Sequence, residues 1–162
     1  MQTALIPECE KIAYFGRGPV ESYKDKCHAS RVSLFKTSVT DHFEPYVRPQ
    51  ENMAHNETKW VMVYTEAGQG LLVTGSENMK YMSFNCSHYT PKMLAETAHD
   101  YELIPLDETI LNIDYAHSGI GSQSCGPALD ERYRLSEKSF TFEARLMPVF
   151  TANVCPFAKS AR

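Results

Sequence analysis

Five cysteines and six histidines are the residues of this sequence best suited to metal or redox chemistry. The cysteines are Cys9, Cys27, Cys86, Cys125 and Cys155. Their number is odd and none forms a CxxC pair, so the pattern favours free thiols in a reducing compartment. The histidines do not fall at zinc-ligand spacing around any cysteine. The sequence therefore predicts no metal site, and we expect a cytoplasmic protein.

A glycine-rich segment, Gly16-Arg17-Gly18-Pro19, follows a strand-like stretch at 12–15. A phosphate-binding loop would continue into GK[ST], and this one does not. Glycines spaced in this way are typical of a tight turn that uses positive φ angles. We therefore expect a turn here and no nucleotide site.

The composition is that of an ordinary globular chain: 162 residues, 43% hydrophobic and 22% charged, with a net charge of −4. This length suits one domain with one core. The acidic balance and the scattered Lys and Arg residues argue against a nucleic-acid partner. No apolar run approaches the length of a membrane span, and the first residues do not resemble a signal peptide. We expect neither a nucleic acid nor a membrane as partner.

Strand patterns dominate the chain. The β-rich runs 60–65 and 71–74, joined by Gly68-Gln69-Gly70, predict a hairpin. Alternating apolar and polar residues predict further strands at 79–85, 109–115 and 140–146, with a shorter candidate at 132–135.

One short helix is expected after Thr90, which suits an N-cap, and Pro91, which suits the first helical position. It extends through about residue 97 and needs the sheet for stability. The stretch 45–58 lacks periodicity and predicts a long crossing loop. Together these features predict an all-β antiparallel sandwich with one short helix.

Several segments, taken in order, resemble the C-terminal domain of glycoside hydrolase family 2 β-galactosidases. The segments are YFGRGPVESYKDK (14–26), PYVRPQEN (45–52), KW (59–60), FNCSHYT (84–90), LAETAH (94–99), LNID (111–114) and GIGSQSCGP (119–127). Met53 stands where the family usually has glycine. The order and number of these segments make a chance resemblance improbable.

The resemblance implies part of a β-sandwich related to sugar mutarotases, a supersandwich about twice as long as this chain. Residues 1–149 would form its C-terminal portion, and residues 150–162 resemble no part of the family. The barrel of such enzymes, which carries two catalytic glutamates, has no counterpart in this sequence.

Retaining glycosidases use two carboxyl groups about 5 Å apart. The carboxylates in the family-like segments are Glu21, Asp25, Glu51, Glu96 and Asp114. For each of them we expect a structural hydrogen bond or a solvated side chain, so no catalytic residue is assigned. His88, His99 and His117 are likewise expected to be structural, and Trp60 to be core.

The best candidate for substrate contact is residues 119–127, which we call the rim loop. In the family this loop reaches the mouth of the barrel's active site, and some members stack a tryptophan there on a sugar ring. Here Cys125 stands at that position, so we expect a polar aglycone rim. The candidate residues are Ser122, Gln123, Ser124 and Cys125.

The resemblance implies a non-catalytic part of a retaining enzyme that hydrolyses terminal β-D-galactose from lactose-type substrates. Its partners would be the catalytic portion, in the same or another chain, and a galactoside, within an oligomeric parent. No cofactor is expected in this chain, since Mg²⁺ and Na⁺ in the family belong to the catalytic domain. Two alternatives stay open: a free-standing carbohydrate-binding sandwich, and a truncated remnant with only an assembly role.

Overall fold

The computed structural model describes residues 1–121 and 126–150, which form nine strands and one α-helix. In chain order the elements are β1 (Gln2–Leu5), β2 (Lys11–Gly18), β3 (Arg31–Ser38), β4 (His55–Thr58), β5 (Trp60–Tyr64), β6 (Gly70–Gly75), β7 (Met82–Ser87), α1 (Pro91–Glu96), β8 (Thr109–Asp114) and β9 (Ala144–Val149). Two single turns of 3₁₀-helix occupy Asp100–Glu102 and Glu131–Tyr133.

The strands form two antiparallel sheets. The four-stranded sheet has the order β1-β8-β7-β4, and the five-stranded sheet has the order β3-β2-β5-β6-β9. The predicted all-β class with one short helix is therefore confirmed. The more specific likeness to sugar mutarotases stays a prediction.

The main core lies between the two sheets and follows from strand alternation, which sends every second side chain to the same face. It includes Ile12, Tyr14, Val61, Val63 and Val73 from the five-stranded sheet and Met82, Phe84, Cys86, Leu111 and Ile113 from the four-stranded sheet. Each apolar side chain of this size stabilises the fold by roughly 1.5–3 kcal/mol when fully buried.

A second apolar cluster covers the opposite face of the five-stranded sheet. It contains Ala13, Trp60, Met62, Leu72 and Val149, all buried. Trp60 is therefore packed among apolar residues, as predicted. Because the strands are apolar on both faces here, alternation is weak in β5, whose five residues are buried except for Tyr64.

The local sequence signals are largely confirmed. Gly68 makes the hairpin turn between β5 and β6 with a φ of 84°, a conformation that favours glycine. Thr90 caps helix α1, because its side chain accepts a hydrogen bond of 3.1 Å from the Met93 amide. Pro91 occupies the first turn, as expected.

Four predicted boundaries were wrong. The stretch 45–58 is not entirely a loop, because its last residues form β4, a short polar strand whose register with β7 is irregular. Residues 132–135 form no strand, since Asp130 accepts a hydrogen bond from the Arg132 amide and starts a 3₁₀ turn. The strands expected at 79–85 and 140–146 instead lie at Met82–Ser87 and Ala144–Val149, where pairing with β8 and β6 fixes them.

The glycine-rich segment was also predicted incorrectly. Gly16 and Gly18 lie inside β2, not in a turn, and neither has a positive φ. Both positions require glycine because neighbouring atoms leave no room for a Cβ. A methyl group at Gly16 would lie 2.9 Å from the Thr58 Cα, and one at Gly18 would lie 3.0 Å from the Phe35 ring.

Two buried histidines cross the core, and we call them the histidine pair. His42 Nδ1 lies 2.9 Å from the Cys86 carbonyl oxygen on β7, and His55 Nδ1 lies 2.7 Å from the Arg17 carbonyl oxygen on β2. The two Nε2 atoms lie 2.7 Å apart. Since carbonyls only accept, each Nδ1 must carry hydrogen. A hydrogen bond between the Nε2 atoms then needs one further proton and a net positive charge.

Burial opposes that charge. It lowers the pKa of His42 to about 4 and, together with the neighbouring His42, lowers the pKa of His55 to about 3. The rings of Tyr14 and Phe84 lie against the pair, and burial raises the pKa of the Tyr14 hydroxyl. The pair is therefore neutral near pH 7, so its two ring hydrogens cannot serve all three contacts, and one of them lacks a hydrogen bond.

Among the described cysteines, Cys9, Cys27 and Cys86 are free thiols, whereas Cys125 and Cys155 lie outside the described residues. Within the same part of the chain, no helix is both long and apolar enough to cross a membrane.

Candidate functional site

The outer face of the four-stranded sheet is polar but buried. Asn85 on β7 lies opposite Asn112 on β8, and Ser83 lies opposite Asp114. Asn85 and Asn112 are only 9% and 8% exposed. The reason is that other segments cover this face: Ser22 bonds to Ala54 through its amide, and Tyr23 reaches across to the residues that follow Pro49.

A continuous set of hydrogen bonds joins the covering segments to the sheet. Tyr23 Oη donates to Glu51 Oε2 at 2.7 Å, and Asn85 Nδ2 donates to Glu51 Oε1 at 2.9 Å. Asn112 Nδ2 then donates to Asn85 Oδ1 at 2.7 Å. We call Tyr23, Glu51, Asn85 and Asn112 the polar layer. Each member has its polar group paired, as buried groups require.

Glu51 carries the polar layer's carboxyl group. Burial raises its pKa above the usual value, although the hydrogen bonds from Tyr23 and Asn85 and the nearby His117 oppose that shift. Burial and the adjacent Glu51 also raise the pKa of Tyr23. The Tyr23 hydroxyl therefore stays protonated and serves as a fixed donor.

Glu21 is the second buried carboxylate, and it is more strongly bonded. It accepts hydrogen bonds from Lys26 Nζ, from Tyr46 Oη and from the Met53 amide. Burial alone would raise its pKa, but these three donors together lower it below its usual value. Glu21 is thus a charged anchor for the segments that cover the sheet.

His117 borders the polar layer. Its Nε2 lies 3.4 Å from Asp114 Oδ2, and its ring meets Tyr23 edge-on with centroids 6.0 Å apart. Burial would lower the pKa of His117, but the carboxylates of Asp114 and Glu51 raise it above the usual value. This histidine is therefore more readily protonated than the histidine pair inside the core.

An open cleft of about 120 Å³ lies beside His117, and we call it the tyrosine cleft. Its walls include Tyr81 and Tyr115, and polar residues from four segments line it. The lining residues are Lys24, Asn56, Glu57, Tyr81, Met82, Ser83, Tyr115, Ala116 and His117. Aromatic faces with nearby hydrogen-bonding groups are typical of small polar ligand sites.

The stem of the rim loop lies next to this cleft's Lys24. Asp25 accepts hydrogen bonds from the amides of Ile120 at 3.1 Å and Gly121 at 2.9 Å. The four predicted rim residues, Ser122, Gln123, Ser124 and Cys125, lie outside the described residues. Their role in substrate contact stays a prediction.

The other carboxylates and histidines of the family-like segments have ordinary surroundings. Glu96 is exposed and lies 3.8 Å from Lys92, one helical turn away. His88 lies 3.0 Å from a Glu10 carboxylate oxygen, and His99 lies 3.4 Å from one of Glu102. Among the described residues, no group of three or more His, Cys, Asp or Glu side chains is placed to hold a metal ion.

The composition of the polar layer was only partly foreseen. The sequence drew attention to Glu51, but not to Tyr23, Asn85 or Asn112. One signal was available, because Asn85 and Asn112 each sit between apolar residues in the middle of a strand. A buried asparagine there needs a partner, and that partner comes from a distant segment. The histidine pair was missed as well, because no local pattern connects His42 with His55, which meet only in the folded chain.

Comparison with known proteins decides the family. Residues 1–146 match the sequence profile described as β-galactosidase small chain. The chain belongs to this β-galactosidase small chain family. Four of its seven family-like segments converge at the polar layer: 14–26 supplies Tyr23, 45–52 supplies Glu51, 84–90 supplies Asn85, and 111–114 supplies Asn112.

Individual relatives agree with the small-chain assignment. The chain is 45% identical over 137 residues to the β-galactosidase of Staphylococcus xylosus, covering 85% of this chain and 13% of that protein. It is 41% identical over 129 residues to that of Actinobacillus pleuropneumoniae, covering 80% and 12%. It is 33% identical over 134 residues to that of Kluyveromyces lactis, covering 83% and 13%. The chain thus spans about an eighth of the length of these relatives.

Proposed function

We propose that the chain is a non-catalytic part of a β-galactosidase that hydrolyses terminal non-reducing β-D-galactose from lactose-type substrates. The observation that carries this proposal is the match of 129 or more residues to β-galactosidases of which the chain spans 12–13%. On this view the two catalytic carboxylates and the Mg²⁺ and Na⁺ ions of the enzyme belong to the remaining portion. The described residues of this chain do not fit a metal ion, and no step is derived through one.

The surroundings of the two buried carboxylates favour a structural role over a catalytic one. Glu21 has three hydrogen-bond donors and Glu51 has two, so their oxygens are occupied by the protein itself. A nucleophile or an acid/base must instead present an oxygen to the substrate. These two residues are therefore assigned to holding the covering segments on the sheet.

The edges of the sheets support association with a larger partner. Within residues 1–121 and 126–150, β3 pairs only with β2. Val32 and Leu34 on this edge strand are 44% and 48% exposed. An exposed edge with apolar side chains is a surface that proteins normally cover. We propose that the catalytic portion, in the same or another chain, covers it within an oligomeric enzyme.

The deciding experiment is complementation. The S. xylosus β-galactosidase, truncated to remove the region that this chain matches, is mixed with the 162-residue chain. Hydrolysis of o-nitrophenyl β-D-galactoside is then followed. We expect activity only from the mixture, because the truncated enzyme lacks the sandwich part. Equal activity of the truncated enzyme alone would overturn the proposal.

A matched pair of variants sharpens this test. Leu34→Asp introduces a charge on the exposed face of β3, and Glu66→Gln changes an exposed carboxylate that pairs with Lys11 at 3.0 Å. If the β3 edge is the covered surface, Leu34→Asp weakens complementation and Glu66→Gln does not. Equal complementation by both variants would exclude this edge.

The tyrosine cleft favours a second candidate function, that of a carbohydrate-binding sandwich. Tyr81 is 48% exposed, and its ring suits the C–H face of a sugar, while Asn56 and Glu57 could bond hydroxyls. Calorimetric titration of the chain with galactose and lactose up to millimolar concentrations tests this function. Binding that is lost in Tyr81→Ala and kept in Tyr101→Ala would support it, since Tyr101 is exposed elsewhere. Flat titrations would exclude it.

The third alternative, a remnant with an assembly role only, predicts self-association through the uncovered edges. Size-exclusion chromatography distinguishes it, because a stable monomer argues against it. A cytoplasmic location is proposed as well, supported by the free thiols of Cys9, Cys27 and Cys86.

A further inference from the structure

Three apolar side chains on two loops are largely open to solvent. They are Val47, Tyr101 and Ile104, which are 79%, 79% and 78% exposed. Of the large apolar side chains in residues 1–121 and 126–150, these three are the most exposed. Single exposed apolar residues are normal on a protein surface, whereas a cluster of them marks an interaction site.

A hydrogen bond joins the two loops that carry these side chains. The Asp100 amide donates to the Val47 carbonyl oxygen at 3.2 Å, which brings Val47 close to Tyr101. Ile104 follows Tyr101 by three residues, and the turn between them is closed by a hydrogen bond of 3.1 Å from the Leu103 amide to the Asp100 carbonyl oxygen. The three side chains therefore lie in one small area, which we call the loop patch.

The loop patch is held in place by contacts within the chain. The Tyr101 ring stacks on the His99 ring, with centroids 5.2 Å apart and planes inclined by 13°. The His99 amide donates to Glu102 Oε2 at 3.1 Å. The Leu106 amide donates to the His88 carbonyl oxygen at 2.9 Å and ties the end of the loop to the residue after β7. Because these contacts already order the loop, a partner that binds Tyr101 does not have to order it on binding.

Carboxylates border the loop patch. The segments 44–48 and 99–107 carry four of them and two basic side chains, Arg48 and His99. The acidic residues are Glu44, Asp100, Glu102 and Asp107. A complementary surface is therefore apolar at its centre and carries an excess of Lys or Arg. A second copy of this chain would bring the same acidic border against this one, so like charges would oppose its binding.

We propose that the loop patch is an interaction surface for the catalytic portion of the enzyme, and that the surface it meets there is apolar and basic. The proposal rests on the proposed function, because it takes the chain to be part of a larger enzyme. Tyr101 is the anchor of this contact, since buried aromatic side chains carry much of the binding energy of interfaces. Val47 and Ile104 exclude water around it.

The first test measures how tightly the chain binds the truncated S. xylosus enzyme. Increasing amounts of the 162-residue chain are added to a fixed amount of that enzyme, and hydrolysis of o-nitrophenyl β-D-galactoside gives the concentration of chain at half-maximal activity. In Tyr101→Ser and in Ile104→Ser we expect this concentration to rise roughly tenfold, while the maximal activity stays within about twofold. A half-maximal concentration equal to that of the wild type in both variants would overturn the proposal.

Ile6→Ser is the matched control for Ile104→Ser. Ile6 is 58% exposed and lies between β1 and β2, outside the two loops. We expect this variant to bind as the wild type does, and we expect all three variants to keep the wild-type thermal midpoint, because the replaced side chains are mostly exposed. Equal weakening by Ile6→Ser and Ile104→Ser would contradict a specific role of the loop patch.

Charge variants test the chemistry of the partner. Glu102→Gln and Asp107→Asn keep the size of each side chain and remove its charge. At low ionic strength we expect each to raise the half-maximal concentration roughly threefold, and added salt should weaken the wild type more than these variants. Glu66→Gln, whose carboxylate pairs with Lys11 outside the loop patch, should have no effect. Tighter binding by Glu102→Gln and Asp107→Asn would indicate an acidic partner and overturn the proposal.

Sedimentation of the chain alone tests a second copy as the occupant. We expect the wild type and Ile104→Ser to sediment alike. A wild-type dimer that Ile104→Ser dissociates would make a second copy the partner and overturn the proposal.

The two proposals fail in different ways. If the wild-type chain restores no activity, the proposed function fails, and the role of the loop patch in that enzyme fails with it. If the wild type restores activity and the loop-patch variants bind equally well, only the role of the loop patch fails.

Discussion

Between the sheets, His42 and His55 lie among aromatic rings, and burial lowers the pKa of both. In the segments that cover the outer face of the four-stranded sheet, Glu21 has three donors around it, and its pKa is lowered too. The same direction of shift has opposite consequences. It keeps the histidines neutral and the carboxylate charged.

The difference shows what each region can carry. Among the described residues, the histidine pair contacts two carbonyl oxygens and the Tyr14 hydroxyl but no carboxylate, so a charge there would be uncompensated. The outer face offers Lys26, a tyrosine hydroxyl and a backbone amide to one carboxylate. The outer face can therefore hold a buried charge, whereas the core is stabilised by apolar packing.

The largest expected effect is acid unfolding that starts in the core. The pKa values of the histidine pair in the folded chain lie near 4 and 3, below the usual 6.5. Between these values and pH 6.5 the unfolded chain therefore binds more protons than the folded chain does. Their contribution to stability is complete above pH 6.5 and is lost as the pH falls towards 4. Urea titrations at pH 7, 6, 5 and 4.5 measure this loss in the free energy of unfolding.

The controls for the acid experiment separate the two regions. Glu21 begins to lose its contribution only below its usual pKa of 4.5, whereas Glu51, whose pKa is raised, gains stability as the pH falls and so opposes the loss from the histidine pair. His117 has a raised pKa and acts in the opposite sense, losing stability as the pH rises. The double variant His42→Leu with His55→Leu should flatten the pH dependence, and the exposed His28→Gln should not. If the unfolding free energy of the double variant depended on pH as strongly as that of the wild type, the histidine pair would not be the source of the acid sensitivity.

Phe84→Ala should cost about 3–5 kcal/mol of unfolding free energy, since Phe84 is fully buried between Tyr14 and the histidine pair. Phe140→Ala is the matched control, because Phe140 is 58% exposed and stacks on Tyr115 at 4.5 Å. Its cost should be about 1 kcal/mol. Urea unfolding of both variants checks the difference, and equal costs would mean that the core is not the cohesive region.

Glu51→Ala should cost about 2–3 kcal/mol, because Tyr23 and Asn85 lose their acceptor while both stay buried. Glu51→Gln retains one acceptor oxygen and should cost less. Glu66→Gln, at an exposed ion pair, should change stability by about 0.5 kcal/mol at most. If Glu51→Ala lowers the unfolding free energy in urea titrations no more than Glu66→Gln does, the polar layer does not contribute to stability.

The smallest effect is a gain. Met53 has a φ of 51°, where a side chain is strained, and glycine is usual there in the family it resembles. Met53→Gly should therefore stabilise the chain by about 1 kcal/mol and keep the hydrogen bond from the backbone N–H of residue 53 to Glu21. Glu57 has a φ of 50° but pairs with Arg17 at 3.0 Å, so Glu57→Gly should gain less. A lower thermal midpoint for Met53→Gly would contradict this account.

Local features of the fold were accessible from the sequence. The Gly68 turn and the Thr90 cap depend on residues within a few positions, and both were predicted. Strands β1 and β3 were not predicted, since β1 has only four residues and β3 is an edge strand with weak alternation. Their partners, β8 and β2, decide their conformation.

The candidate site was less accessible, because its residues meet only after folding. The resemblance identified the segments, but not that Tyr23, Glu51 and Asn85 form one hydrogen-bonded set. Gly16 and Gly18 illustrate the same limit. A side chain at these positions would clash with Thr58 and Phe35, which are distant in sequence and which no local pattern connects to the glycines.

The pairing of β1 with β8 has a consequence for biosynthesis. Met1 donates through its amino group to the Ile113 carbonyl, 112 positions along the chain. At roughly 5–20 residues per second, a ribosome needs on the order of ten seconds to supply that partner. During this time the first strand cannot be paired, and the four-stranded sheet cannot close. We therefore expect the four-stranded sheet to close only after β8 has been synthesised.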